Sequence, residues 1–169
     1  MDRDARLRAI TSELSEETQA IRVGVDRTAE REHSEPIFAT SSFVFPDAAT
    51  MADAFVNDSG LSIYARVDNP TVDGFCKRLA LLEGAEACEA TASGMGAILW
   101  TLMAHCQAGE RVLMSTGVFG ATLSLLKNFF VKYGIELELL PPTDLAAWER
   151  ALSRPAQLAY CETPSNPTI

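Results

Sequence analysis

An open α/β sheet with parallel strands is the fold this sequence predicts, and three observations carry the prediction. Short apolar runs at Cys88–Ala92, Arg111–Ser115, Ile135–Leu140 and Leu158–Cys161 alternate with longer segments of helical period. Strands separated by helices require right-handed crossovers, which lay consecutive strands parallel. The boundaries carry the chemistry of helix starts, with Asn69-Pro70, Ser93-Gly94 and Asp144 each placed just before a periodic segment. Finally, 169 residues of 47% hydrophobic and 22% charged character suffice for a folded core.

The elements follow in order. Residues 1 to about 20 are charged, with apolar positions too sparse for a well-buried face, and read as an N-terminal arm with a helical tendency. Ile37–Phe45 is β-prone and is stopped by Pro46, after which Asp47 caps a helix running to about Val56. Asn57 to Gly60 forms a turn, and Tyr64-Ala65-Arg66 reads as an extended tripeptide. The helix opened by Asn69-Pro70 carries Val72, Phe75, Leu79 and Leu82 at helical spacing, so that face is expected to be buried, and Glu83-Gly84 ends it. The helix from Gly94 to Cys106 is apolar nearly all round and is expected to lie deep between other elements. A helix from Phe119 to Tyr133 places Phe119, Leu123, Leu126 and Phe130 on one stripe, and a shorter one spans Asp144–Leu152 with Thr143 or Asp144 as its cap. The expected division is an arm and extended segment over residues 1–60 and an incomplete α/β domain over residues 61–169.

Composition excludes several classes of function. The net charge of −9 repels polyanions and leaves no basic patch for nucleic acid. Cys76, Cys88, Cys106 and Cys161 are scattered, and His33 and His105 are isolated, so neither zinc spacing nor a disulfide framework is present and reduced thiols are expected. No apolar run reaches the length of a membrane span, and Met1-Asp2-Arg3-Asp4 does not open a signal peptide, so a soluble cytoplasmic protein is expected.

Open parallel sheets bind ligands beyond the carboxyl ends of their strands. The loops selected by that rule begin near Ser93, Ser115 and Glu162. At the first, Ser93, Gly94 and Met95 open a helix whose free N–H groups suit an anion, and glycine permits close approach. Arg66 adds a planar fork for phosphate oxygens beside the Tyr64 phenol. Together these residues describe a phosphate site.

Two motifs carry a family resemblance: Tyr64-Ala65-Arg66-Val67-Asp68-Asn69-Pro70-Thr71, and Ser93-Gly94-Met95 downstream of it. In this order and separation they resemble the phosphate-binding elements of the pyridoxal-phosphate (PLP) enzymes of cysteine and methionine metabolism, the trans-sulfuration enzymes. The resemblance implies the large domain of the fold type I, aspartate aminotransferase-like PLP-dependent transferases, here partial. It also implies PLP as cofactor, an amino-acid substrate, and a homo-oligomer, dimer or tetramer, with sites shared between subunits. Tyr64 and Arg66 would serve a neighbour's phosphate, and the arm would be ordered only in the oligomer. Ser93, Gly94 and Met95 would cradle the phosphate. Phe119 stands where most of the family has a ring-stacking tyrosine, and phenylalanine can stack but cannot move a proton. Asn166, in Glu162-Thr163-Pro164-Ser165-Asn166-Pro167, would bond the cofactor 3′-oxygen, with Glu162 as a supporting polar position.

The runs Val118–Leu125 and Asp144–Glu149 look most like the O-succinylhomoserine sulfhydrylase branch. The implied reaction displaces succinate from the γ-carbon of O-succinylhomoserine with sulfide to give homocysteine; a γ-lyase or cystathionine γ-synthase of the same family is the alternative. Ala65 replaces a common serine, and Asp68 sets a negative charge near the proposed phosphate clamp. Lys77, Lys127 and Lys132 are the only lysines, and none stands in the family's Ser-x-Thr-Lys setting for the cofactor-anchoring residue. The chain therefore reads as an N-terminal fragment covering less than half of a usual member. Alone it is expected to be inactive and poorly soluble. A non-catalytic remnant that pairs with longer subunits is the further alternative.

Overall fold

The computed structural model describes residues 13–24, 27–57 and 59–167. They gather into two compact units that divide between Ala90 and Thr91.

Among the described residues the first unit holds three helices, α1 (Glu16–Arg22), α2 (Ala48–Val56) and α3 (Pro70–Leu82). Their starts follow from side-chain chemistry. Asp47 Oδ1 accepts from Thr50 N–H at 2.7 Å, and Asn69 Oδ1 accepts from Thr71 N–H at 2.9 Å with Pro70 in the first turn, so amides that lack helical partners are satisfied. Asn69 also donates to Phe38 O at 3.0 Å, while Thr71 Oγ1 accepts from Phe38 N–H at 3.0 Å and donates to Pro36 O. The start of α3 thus ties down the extended segment before α2. That segment, β-prone in sequence, makes only one antiparallel bridge, Ser42 to Tyr64. A β-prone run becomes a strand only where a neighbour can accept a full ladder.

The end of the arm is held by its own chain. Helix α1 packs on α3, and Arg78 on α3 donates to Val23 O at 3.1 Å and forks onto Glu35 at 3.2 and 2.9 Å. Close approach is set by a glycine pair: Gly24, at φ +77°, and Gly74 are so near that a Cβ on Gly24 would stand 2.5 Å from Gly74 O. Residues 13–24 of the arm thus have contacts within their own chain, besides any that an oligomer would add; residues 1–12 lie outside the described residues. The expected buried stripe of α3 is corrected. Val72, Phe75 and Leu82 are exposed, Leu79 is half-buried, and the buried positions are Gly74 and Ala80. Small residues are buried because α1 and its following turn approach α3 on that side.

The second unit contains α4 (Gly94–His105), β1 (Arg111–Ser115), α5 (Gly120–Asn128), a 3₁₀ turn (Phe130–Tyr133), β2 (Glu136–Leu140), α6 (Leu145–Leu152) and β3 (Leu158–Tyr160). The strands are parallel, in the order β2-β1-β3. Every residue of β1 is buried, as a central parallel strand covered on both faces must be. On one face Val112 and Met114 pack with Leu102, Val118, Leu126, Phe130 and Ile135; on the other Leu113 packs with Leu140 and Ala151. Arg111 is buried yet satisfied: its guanidinium pairs with Glu138 and donates to Ala151 O, Arg154 O and Pro155 O. It therefore staples β1 to β2 and to the end of α6.

Three further expectations are corrected. Residues 88–92 pair with no described strand, so their apolar run is extended chain rather than a ladder. The expected helix from Phe119 to Tyr133 breaks at Phe129 (φ −111°, ψ −62°) into α5 and the 3₁₀ turn, which lets Phe130 enter the core beside Ile135. Helix α4 buries only Leu102 fully, with Ile98 and Leu99 packed beside it, while Trp100 is 61% exposed. An all-apolar helix has no preferred face in its sequence, so sequence alone could not say how many of its sides are covered.

Candidate functional site

The order β2-β1-β3 sends the chain from β1 to one side and then back across β1 to β3, which makes the gap between the carboxyl ends of β1 and β3 a topological switch point. That is where an open sheet forms its crevice. The loop leaving β1 carries Gly117, Val118 and Phe119, and the loop leaving β3 carries Glu162.

Glu162 joins the two loops. Its Oε2 accepts from Phe119 N–H at 2.8 Å, and its Oε1 accepts from Thr122 Oγ1 and from Tyr160 OH, each at 3.3 Å. Thr122 is fully buried and Tyr160 half-buried. Burial pushes the Tyr160 phenol above its ordinary range, and the Glu162 carboxylate beside it pushes in the same direction. The bond to Phe119 N–H serves the first position before α5, where no side-chain cap is present. Phe119 is 45% exposed.

At the start of α4, Ser93 Oγ accepts from Gly96 N–H at 3.0 Å, and Ala97 N–H is the first to bond back along the helix, to Ser93 O. The amides of Gly94 and Met95 precede any helical acceptor. A Cβ placed on Gly94 would meet nothing within 4 Å, so this glycine is open on its side-chain side. At Gly96, by contrast, a Cβ would press to 3.2 Å from Ser93 Oγ, which explains a second glycine in this turn. Amides without intrahelical acceptors at a helix start suit an anion such as a phosphate.

Tyr64 and Arg66 belong to the first unit. They are exposed, and the Arg66 guanidinium lies over the Tyr64 ring at 5.3 Å. The tripeptide is not extended as expected: Val67 N–H and Asp68 N–H both bond to Tyr64 O, and Asp68 Oδ1 accepts from Ile63 N–H at 3.0 Å. Asp68 therefore closes a turn through its side chain. Asn166 is exposed in the loop after Glu162. A cavity of about 200 Å³ in the first unit, lined by Glu35, Phe38, Thr71, Asp73 and Lys77, shares no residue with the predicted set.

Within the second unit the structure joins Phe119 to Glu162 directly and sets Ser93, Gly94 and Met95 at a separate helix start. Sequence reasoning missed Thr122, Tyr160 and Gly96. A signal for two of them existed: Tyr160 lies two residues before Glu162, the spacing that keeps strand side chains on one face, and Thr122 lies one helical turn after Phe119. Among the described residues no cluster of three or more His, Cys, Asp or Glu could hold a metal ion, and no helix is long and apolar enough to cross a membrane.

Residues 17–169 match the model of the Cys/Met metabolism PLP-dependent enzyme family. The chain is 48% identical over 151 residues to an O-succinylhomoserine sulfhydrylase of Pseudomonas aeruginosa, which covers 89% of this chain and 38% of that protein. It is 37% identical over 160 residues to an O-succinylhomoserine sulfhydrylase of Mycobacterium tuberculosis, covering 95% and 39%, and 35% identical over 134 residues to an L-methionine γ-lyase of Pseudomonas putida, covering 79% and 34%. Among solved structures, a Campylobacter jejuni protein assigned as an O-acetylhomoserine (thiol)-lyase, solved with N′-pyridoxyl-lysine-5′-monophosphate, superposes with a TM-score of 0.80 at 28% identity, covering 91% of this chain and 38% of that one. The chain thus spans under two fifths of the length of the curated relatives it matches.

Proposed function

The chain belongs to the Cys/Met metabolism PLP-dependent enzyme family, and on that premise we propose that it supplies the phosphate-binding part of a PLP site in a γ-replacement enzyme. The intact protein converts O-succinylhomoserine and sulfide to homocysteine, in the service of methionine synthesis. The observation that carries this choice of branch is the 48% identity to an O-succinylhomoserine sulfhydrylase, against 35% to a methionine γ-lyase over a shorter stretch.

In this reading the Gly94 and Met95 amides hold the cofactor phosphate, with Ser93 fixing the turn. Phe119 covers one face of the pyridine ring and excludes water from it, and Asn166 donates to the ring oxygen. When bound, PLP supplies an electron sink for charge developing at the amino acid's α-carbon. Phe119 has no proton to give, so proton movement falls to other groups. Tyr64 and Arg66 serve the phosphate of a neighbouring subunit in a cytoplasmic homo-oligomer; their exposure supports this.

None of the three lysines serves as cofactor anchor in this proposal. Lys127 and Lys132 lie near the end of α5 and in the 3₁₀ turn that follows, after the chain has run back from the carboxyl edge of the sheet, and Lys77 lies on α3 in the first unit. Incubation with PLP, borohydride reduction and mass spectrometry should label no single lysine of this chain stoichiometrically. For the reaction itself, the intact protein given O-succinylhomoserine and sulfide should form homocysteine. Release of a ketoacid without sulfide at a comparable rate would favour the γ-lyase alternative instead.

A further inference from the structure

We infer that Glu162 is a positioning residue, its carboxylate held by Tyr160 and Thr122 so that it fixes the Phe119 backbone across the crevice between β1 and β3. The assignment rests on the reading of Phe119 as the ring-stacking residue, and it gives the expected supporting polar position at Glu162 a defined part, a clamp on the Phe119 backbone.

The geometry is specific. Both carboxylate oxygens are engaged by protein donors, Oε2 by Phe119 N–H at 2.8 Å and Oε1 by Thr122 Oγ1 and Tyr160 OH at 3.3 Å. Few acceptor positions remain for a ligand, since a carboxylate has about four lone-pair sites. The donors come from three places: Phe119 from the loop after β1, Thr122 from the first turn of α5, and Tyr160 from the end of β3. One side chain therefore locks the β1 loop to β3 and to the helix that begins at Gly120. Helix α5 opens without a side-chain cap of its own, and Glu162 fills that role from the loop after β3 while adding negative charge at the helix start. Phe119 is 45% exposed, so the placement of its ring depends in part on where its backbone is fixed.

The test is amide exchange of Phe119 by NMR on this chain, with no cofactor present. In Glu162→Ala the Phe119 amide should exchange about tenfold faster or more, as expected for loss of a hydrogen bond to a charged acceptor, while amides of β1 keep their rates. Glu162→Gln retains an oxygen acceptor and should restore most of the protection. The same variant removes the charge beside Tyr160, so spectrophotometric titration should show the Tyr160 phenol ionising at lower pH than in the parent chain, with Tyr160→Phe identifying the signal. Unchanged Phe119 exchange in Glu162→Ala, or an unmoved Tyr160 titration in Glu162→Gln, overturns the assignment. Both readouts are taken without PLP, so they answer for the clamp alone, and the cofactor reading stands or falls on the assays given above.

Discussion

The two compact units of this chain are built from similar proportions of apolar residues but bury them very differently. In the second, Val112, Leu113, Met114, Leu102 and Leu126 are all within about 1% of complete burial around a central strand. In the first, the buried apolar residues among those described are Ala54 and Ala80, while Ile37, Val44 and Val67 are 83%, 98% and 78% exposed. A sheet brings its own cover, because each crossover helix returns over the strands it connects. An arm and isolated helices bring none. The lesson is that periodicity identifies which face is apolar, whereas burial depends on what the rest of the assembly places against it.

The largest expected effect tests the dense side of this contrast. Leu113→Ala should lower the unfolding free energy by about 2–5 kcal/mol, read from urea denaturation, whereas Val44→Ala should change it by no more than about 0.5 kcal/mol. Equal losses at the two positions would break the comparison. A smaller effect is expected at the helix start: Ser93→Ala removes the bond to Gly96 N–H and should cost about 1 kcal/mol.

A pH dependence sharpens the contrast further. Because burial and Glu162 raise the Tyr160 phenol above its unfolded value, the neutral form favours the folded state. The stability it contributes is fully present below the unfolded value near 10 and is lost as pH rises through the raised folded value. Denaturant melts should therefore weaken above that range, and Tyr160→Phe should flatten the decline. The smallest effect belongs to the exposed stripe of α3. Phe75→Ser should leave the stability of the single chain within about 0.5 kcal/mol, and sedimentation of the intact protein is the measurement that would show this face meeting a neighbour, as loss of association in that variant.

Much of this was legible in the sequence because it rests on local chemistry. Asp47, Asn69, Ser93 and Asp144 each bond an amide of the first turn they precede, since a short acceptor at that position has that use. The strands β1, β2 and β3 lie within one residue of their expected limits, β1 as the buried central strand and β2 with the charged-apolar alternation of an edge strand. What could not be read depends on partners distant in sequence. The run at 88–92 has the composition of a strand but no ladder, and the α3 stripe has the period of a buried face but no cover. The part played by Glu162 was hidden for the same reason: its bond to Phe119 joins residues 43 apart, and only the strand order brings them together. Asp68, a misplaced charge when read beside Arg66, proves to be the acceptor that closes its own turn.

The glycine pair at 24 and 74 has a meaning for the shape of the arm. Each backbone occupies the volume in which the other's first side-chain carbon would stand, with Gly24 O 2.8 Å from a Cβ on Gly74. The pair works as a gauge: two main chains pass at the separation of bare peptide groups, and an added methyl on either one wedges them apart. An arm shifted along α3 by even one residue would set a bulkier neighbour, Val23 on the arm or Asp73 or Phe75 on the helix, into that gap. The register of arm on helix is thus written by the absence of atoms at two positions.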